Sequence, residues 1–130
     1  MVNSRAKGKR GELEAALLLT QMGLKSRRSA QYCGKGGDAD LALEADLHVE
    51  VKLQEQMHPY KWIEQAIRDS AKTKRRPLVL CRRTRSPWLV IMQADDLIPI
   101  SREVLNAILR AQIANTNDSV QGTESQREAT

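Results

Sequence analysis

Asp38, Asp40, Glu50 and Lys52 stand close together near the middle of the chain. Carboxylate oxygens suit a hard divalent cation such as Mg²⁺. A cation held this way polarises a phosphate ester and acidifies the water that attacks it. A lysine two residues from one of the carboxylates is near enough to orient that water or to meet charge on the phosphate. These residues are therefore candidates for hydrolytic chemistry on a phosphodiester.

The chemistry depends on what positions them. The segment "DADLALEADLHVEVKLQ" at 38–54 alternates twice and reads as a β-hairpin. Side chains alternate faces along a strand. Leu47, Val49, Val51 and Leu53 then point into a core, and His48, Glu50, Lys52 and Gln54 point the other way. A three-residue turn at Glu44-Ala45-Asp46 pairs Leu41 with Val49 and Asp40 with Glu50. A two-residue turn would set Asp40 beside a core valine, so the hydrophobic pattern selects the longer one. Two carboxylates directly opposite repel, and a bound cation would remove that penalty. The alternation equally allows a solvated face on which Asp38 pairs with Lys52 while Asp40 and Glu50 splay into water.

Around this hairpin the chain reads α-β-β-β-α-β-β-α, an α/β (mixed α+β) fold with a central mixed β-sheet flanked by helices. Residues 6–22 predict a helix with Leu13, Ala16, Leu17 and Thr20 on one stripe and Gly23 as its stop. "LKSRRSA" reads as a short strand and "YCGKGG" as a loop. "YKWIEQAIRDSA" predicts a helix with Tyr60, Ile63, Ala66, Ile67 and Ala71 inward, and Lys61, Gln65 and Arg68 on its polar face. "PLVLCRR" and "PWLVIMQ" read as strands, "ADDL" as one helical turn, and "SREVLNAILRAQIA" as a last helix capped by Ser101. One domain over 1–114 and a polar, disordered tail over 115–130 are expected.

The charge distribution points to the partner. The net charge is +5, with eight bases and two acids between Met1 and Gly36, and seven bases and no acid between Lys72 and Arg85. Such clusters suit a polyanion, with nucleic acid the default; a solubilising charge run is the bland alternative. Two tyrosines, two tryptophans and no phenylalanine argue against a base-stacking single-strand binder. No apolar run approaches membrane-spanning length, and the basic N-terminus lacks the apolar core of a signal peptide. A cytoplasmic location without membrane contact is expected. Cys33 and Cys81 read as reduced thiols, and with His48 and His58 they make no zinc pattern. "GKGGD" lacks the Gly-Lys-Ser/Thr ending of a P-loop.

Asp40, followed ten residues later by Glu50-Val51-Lys52, resembles the Asp…Glu-x-Lys core of the PD-(D/E)XK nuclease superfamily. "KGKRGELE" is similar to the opening helix of archaeal-type Holliday junction resolvases, in which an early glutamate joins the metal site. "RRSA" before a glycine-rich loop and Asp-Leu fits the same group. "GGDADLAL", "LHVEVKLQE", "IEQAIRDS" and "CRRTRSPWLVIMQADDL" look like small phage-encoded nucleases. The resemblance spans residues 4 to 98. Ala39 stands where the pattern often has proline, and Asp38 competes with Asp40 as the ligand.

The resemblance implies a restriction-endonuclease-like core and metal-dependent cleavage of branched DNA, above all as a Holliday junction resolvase. It implies Mg²⁺, with Mn²⁺ as a substitute, a homodimer, and a phage or prophage protein in a bacterial host. Asp40, Glu50, Lys52, Glu12 and Gln65 would be catalytic, and Asp40, Glu50, the Val51 carbonyl and Glu12 would hold metal. Lys7, Lys9, Arg10, Arg28, Ser29, Lys35, Lys61, Arg82, Arg83 and Arg85 would meet DNA. Glu14 is expected on the surface, Trp88 in the core or a dimer interface, and His48 as a bystander. A flap, fork or duplex nuclease and a non-catalytic nucleic-acid-binding module are the alternatives.

Overall fold

The computed structural model describes residues 3–29 and 39–128, with side chains as far as residue 120. Cys33, Lys35 and Asp38 lie outside the described residues. The elements are α1 (Ser4–Gln21), β1 (Ser26–Arg28), β2 (Leu41–Leu43), β3 (Leu47–Leu53), α2 (Pro59–Ser70), β4 (Arg76–Arg82), β5 (Leu89–Ile91) and α3 (Leu97–Glu128). A single 3₁₀ turn, Ala94–Asp96, leads into α3. The expected order and mixed sheet are found.

The sheet runs β1-β2-β3-β4-β5. Only β3 and β4 pair in parallel; the other neighbours are antiparallel. A parallel pair needs a crossover connection, and α2 supplies it. Both central strands bury two faces. Along β4, Leu78 and Leu80 enter one core while Val79 and Cys81 enter the other. This explains the unbroken apolar run "LVLC". The first core lies against α1 and α3, with Leu41, Leu47 and Val49 at its centre. The second lies against α2 and holds Trp62, Ile63 and Ala66.

Helix α1 ends as its sequence predicts. Gly23 takes φ +101°, its N–H donates to the Thr20 carbonyl, and the Leu24 N–H donates to the Leu19 carbonyl. That is a Schellman ending, which glycine adopts without a Cβ penalty.

The helices' inward faces differ from the expected ones. On α1 the buried residues are Gly11, Ala15 and Ala16, while Leu13 and Leu17 stand outward. Small residues let the helix lie close to β3: a Cβ on Gly11 would sit 3.1 Å from the Leu53 Cβ. On α2, Tyr60 is 81% exposed and Trp62 only 3%. The helix is turned so that Trp62 fills the space over Val79 and Cys81. Helix α3 starts before Ser101, because Pro99 in its first turn gives up an N–H that needs no intrahelical partner there. It also runs on through 115–128, the stretch expected as a tail. No helix among the described residues is long and apolar enough to cross a membrane.

Candidate active site

The hairpin register sets the site. Leu41 pairs with Val49, so Asp40 and Glu50 fall opposite one another, as the hydrophobic pattern requires. Strand β2 begins at Leu41, which leaves the Val51 N–H without a β2 backbone partner. The Asp40 carboxylate takes that place, with Oδ2 accepting from the Val51 N–H at 2.8 Å. In a strand the N–H and C=O of one residue point to the same side. The Val51 carbonyl therefore faces the same edge as the Asp40 carboxylate. On the other side of Asp40, its own carbonyl accepts from the Ser29 N–H at 3.0 Å, which ties β1 to the site.

Electrostatics tie the two acids together. Burial is the first cause that pushes Asp40 up to about 7, and the Glu50 carboxylate is the second; the Val51 hydrogen bond pulls it down only in part, and Glu12 adds to the repulsion. Burial also pushes Glu50 upward, but hydrogen bonds from His48 and Asp40 and the charges of His48 and Lys52 outweigh it, so Glu50 lies below its usual range. Without a cation the pair thus carries its proton on Asp40 near neutrality and its charge on Glu50. Replacing that proton with a divalent cation is the natural reaction of such a pair.

His48 is not a bystander. It is 1% exposed, and its Nε2 lies 2.7 Å from Glu50 Oε1. Asp69 on α2 joins them: ligand atoms of His48, Glu50 and Asp69 all lie within 4.8 Å of one another, a His/Glu/Asp cluster able to coordinate a divalent metal. Neither His48 nor Asp69 stood out in the sequence. The available signal was spacing: Asp69 follows Gln65 by one helical turn, so both point at the same strand face.

Lys52 is half-buried, and its Nζ donates to Gln65 Oε1 at 3.1 Å. Strand β3 thus shows His48, Glu50 and Lys52 in a row toward α2, and α2 answers with Asp69 and Gln65. Glu12 comes from α1, near enough to Asp40 to raise its pKa. It is held by Arg28, whose Nε is 2.6 Å from Glu12 Oε2.

The basic residues separate into two groups. Arg28 is bound to Glu12. Arg82 is bound to Glu14 at 2.5 Å and stacks on Trp88, 5.4 Å from the ring centre. Glu14 is therefore an ion-pair partner, and Trp88 packs against the first core. Lys9, Arg10, Lys61, Arg83 and Arg85 are exposed. Lys7 and Arg83 lie near Glu55, which is held below the usual range first by hydrogen bonds from Thr84 and then by these charges.

The family model described as "Phage putative PDDEXK endonuclease" matches residues 3–127. No curated protein is similar enough to match. Among solved structures, the chain is similar in fold to Hjc of Archaeoglobus fulgidus, a Holliday junction resolvase from an archaeal hyperthermophile. The TM-score is 0.53 at 18% identity, covering 65% of this chain and 76% of that one.

Proposed function

The chain belongs to the phage PDDEXK endonuclease family, within the PD-(D/E)XK superfamily, and we propose that it is a metal-dependent endonuclease that resolves branched DNA. One observation carries the reading: Asp40 and Glu50 oppose each other on paired strands and share a proton, with Lys52 two residues along the same face. A non-catalytic DNA binder has no use for carboxylates aimed at a polyanion.

The donor set fits Mg²⁺, with Mn²⁺ as a substitute: carboxylate oxygens and a backbone carbonyl converge on one edge of β3. Asp40, Glu50 and the Val51 carbonyl would hold the ion, with Glu12 nearby. When bound, such an ion polarises the scissile phosphate and acidifies the attacking water. Lys52 orients that water and meets charge on the phosphate. Gln65 holds the Lys52 ammonium at its working position, and His48 holds Glu50.

Lys7, Lys9, Arg10, Lys61, Arg83 and Arg85 would contact the DNA backbone, which positions a substrate without reading its sequence. Arg28 and Arg82 would act mainly through the acids they hold, and Ser29 through its backbone tie to Asp40. Cutting two strands of a junction needs two sites, hence a homodimer. The fold shared with the Archaeoglobus resolvase supports the junction as substrate over other branches.

A cleavage panel tests this. Labelled four-way junction, flap, fork, duplex and single strand would be incubated with Mg²⁺ or EDTA, alongside Glu50→Ala. Paired symmetric nicks in the junction, lost with EDTA and in the variant, are expected. Cutting of flaps or duplex instead would keep the site and change the substrate. Tight binding with no cleavage under any metal would overturn the enzymatic reading.

A further inference from the structure

Helix α3 has two apolar faces. Ile100, Val104, Ala107 and Ile108 turn to the first core. Ile98, Leu105, Leu109, Ile113 and Val120 lie on the opposite side, each 52–62% exposed. At 3.6 residues per turn these five fall on one stripe, with Arg102 and Thr116 as its polar positions.

The helix also leaves the body of the protein. Every residue from Leu109 to Val120 is exposed. That stretch contains Asn115-Thr116-Asn117-Asp118-Ser119-Val120, all weak helix formers. An unsupported helical arm of this composition is marginal in water.

The stripe has a symmetry that identifies its cover. From Ile98 to Val120 its positions step by 4, 3, 4, 4, 3 and 4 residues, a series that reads the same in both directions about Leu109. A two-fold contact needs a self-complementary surface. Two α3 helices laid antiparallel with Leu109 on the axis pair Ile98 with Val120, Leu105 with Ile113, and Leu109 with Leu109. The polar positions Arg102 and Thr116 also face each other. We propose that α3 is a dimerisation arm, and that its outward stripe docks antiparallel on the same stripe of a second copy of this chain.

The contact runs about 33 Å along the helix at 1.5 Å per residue. With side chains interlocked, the pair approaches the roughly 1,000 Å² that a specific interface needs. The dimer is therefore concentration-dependent and rests on few residues. The inference stands on the fold and not on the nuclease reading. It supplies the two copies that junction cutting needs, but a dimer without cleavage, or cleavage by a monomer, would separate the two.

The test is sedimentation of the full chain without DNA, across a wide concentration range. A dimer is expected, with Leu109→Glu weakening it by about 30-fold or more while the circular dichroism of the domain stays folded. Short bismaleimide cross-linking fixes the direction, in a Cys33→Ser background with Cys81 buried. Leu109→Cys should link to itself. Ile98→Cys alone and Val120→Cys alone should not, since each then lies about 33 Å from its own copy, but a mixture of the two should. A monomer at all concentrations, a dimer indifferent to Leu109→Glu, or self-linking of Ile98→Cys would overturn the proposal.

Discussion

Asp40→Asn should make the metal-free protein more stable at alkaline pH, although it removes a proposed catalytic group. Folding raises Asp40 from 3.8 to about 7. Three units at about 1.4 kcal/mol each mean that ionising Asp40 in the fold costs about 4 kcal/mol more than in the unfolded chain. The sign follows from proton counts. Between pH about 4 and about 7 the folded protein holds a proton that the unfolded chain has released, so stability falls as pH rises through that window and levels off above it. Glu50 works in the opposite direction: its lowered pKa adds stability above its unfolded 4.5, lost as pH falls through the folded value. It leaves the range from pH 5 to 8 to Asp40. Wild type in EDTA should therefore lose about 3 kcal/mol from pH 5 to pH 8. Asparagine imitates the protonated acid, since its amide can donate to Glu50 and its oxygen can accept from the Val51 N–H. The variant should lose the slope and exceed wild type by about 3 kcal/mol at pH 8. Urea unfolding at the two pH values measures both. Equal wild-type stabilities at pH 5 and 8, or a variant no more stable than wild type at pH 8, would refute the shared-proton account.

Mg²⁺ binding at pH 6 should release about one proton, and fewer at pH 8; titration calorimetry in buffers of different ionisation enthalpy counts them. Lys52→Ala should lower single-turnover cleavage by about a hundred- to a thousandfold and leave most DNA binding intact, as read by gel shift. His48→Leu leaves buried Glu50 without its histidine donor and should cost about 1–3 kcal/mol in urea melts, with weaker Mg²⁺ binding. Gly11→Ala sets a Cβ 3.1 Å from the Leu53 Cβ on a central strand; it should destabilise by about 1–2 kcal/mol after the gain in helix propensity, and cleavage should fall as Glu12 moves.

The hairpin was legible because two constraints agreed. Period-two alternation assigned a face to each residue of β2 and β3, and burial of one face allowed a single register. A slip of one residue would have put Asp40 into the core, so the pairing of Asp40 with Glu50 follows from the string of letters. The Lys52–Gln65 contact was half legible: Gln65 stood on the polar face of α2, but nothing local said that this face meets β3. The inward faces of α1 and α2 misled for a physical reason. Local apolar counting favours the larger side chains, whereas packing chose Gly11, Ala15 and Ala16 so that α1 could approach β3 closely, and chose Trp62 over Tyr60 to fill the space above β4.

By itself, then, the sequence determined the element order, the mixed sheet, the hairpin register and the opposed carboxylates, all of which arise from short-range periodicity and turn length. Only the tertiary structure decided that His48 and Asp69 flank Glu50, that Glu14 and Glu12 engage Arg82 and Arg28, and that α3 carries an outward apolar stripe. Those facts depend on how α1, α2 and α3 rotate and dock on the sheet. That docking is set by side-chain volumes distant in the chain, and no local window of residues contains them.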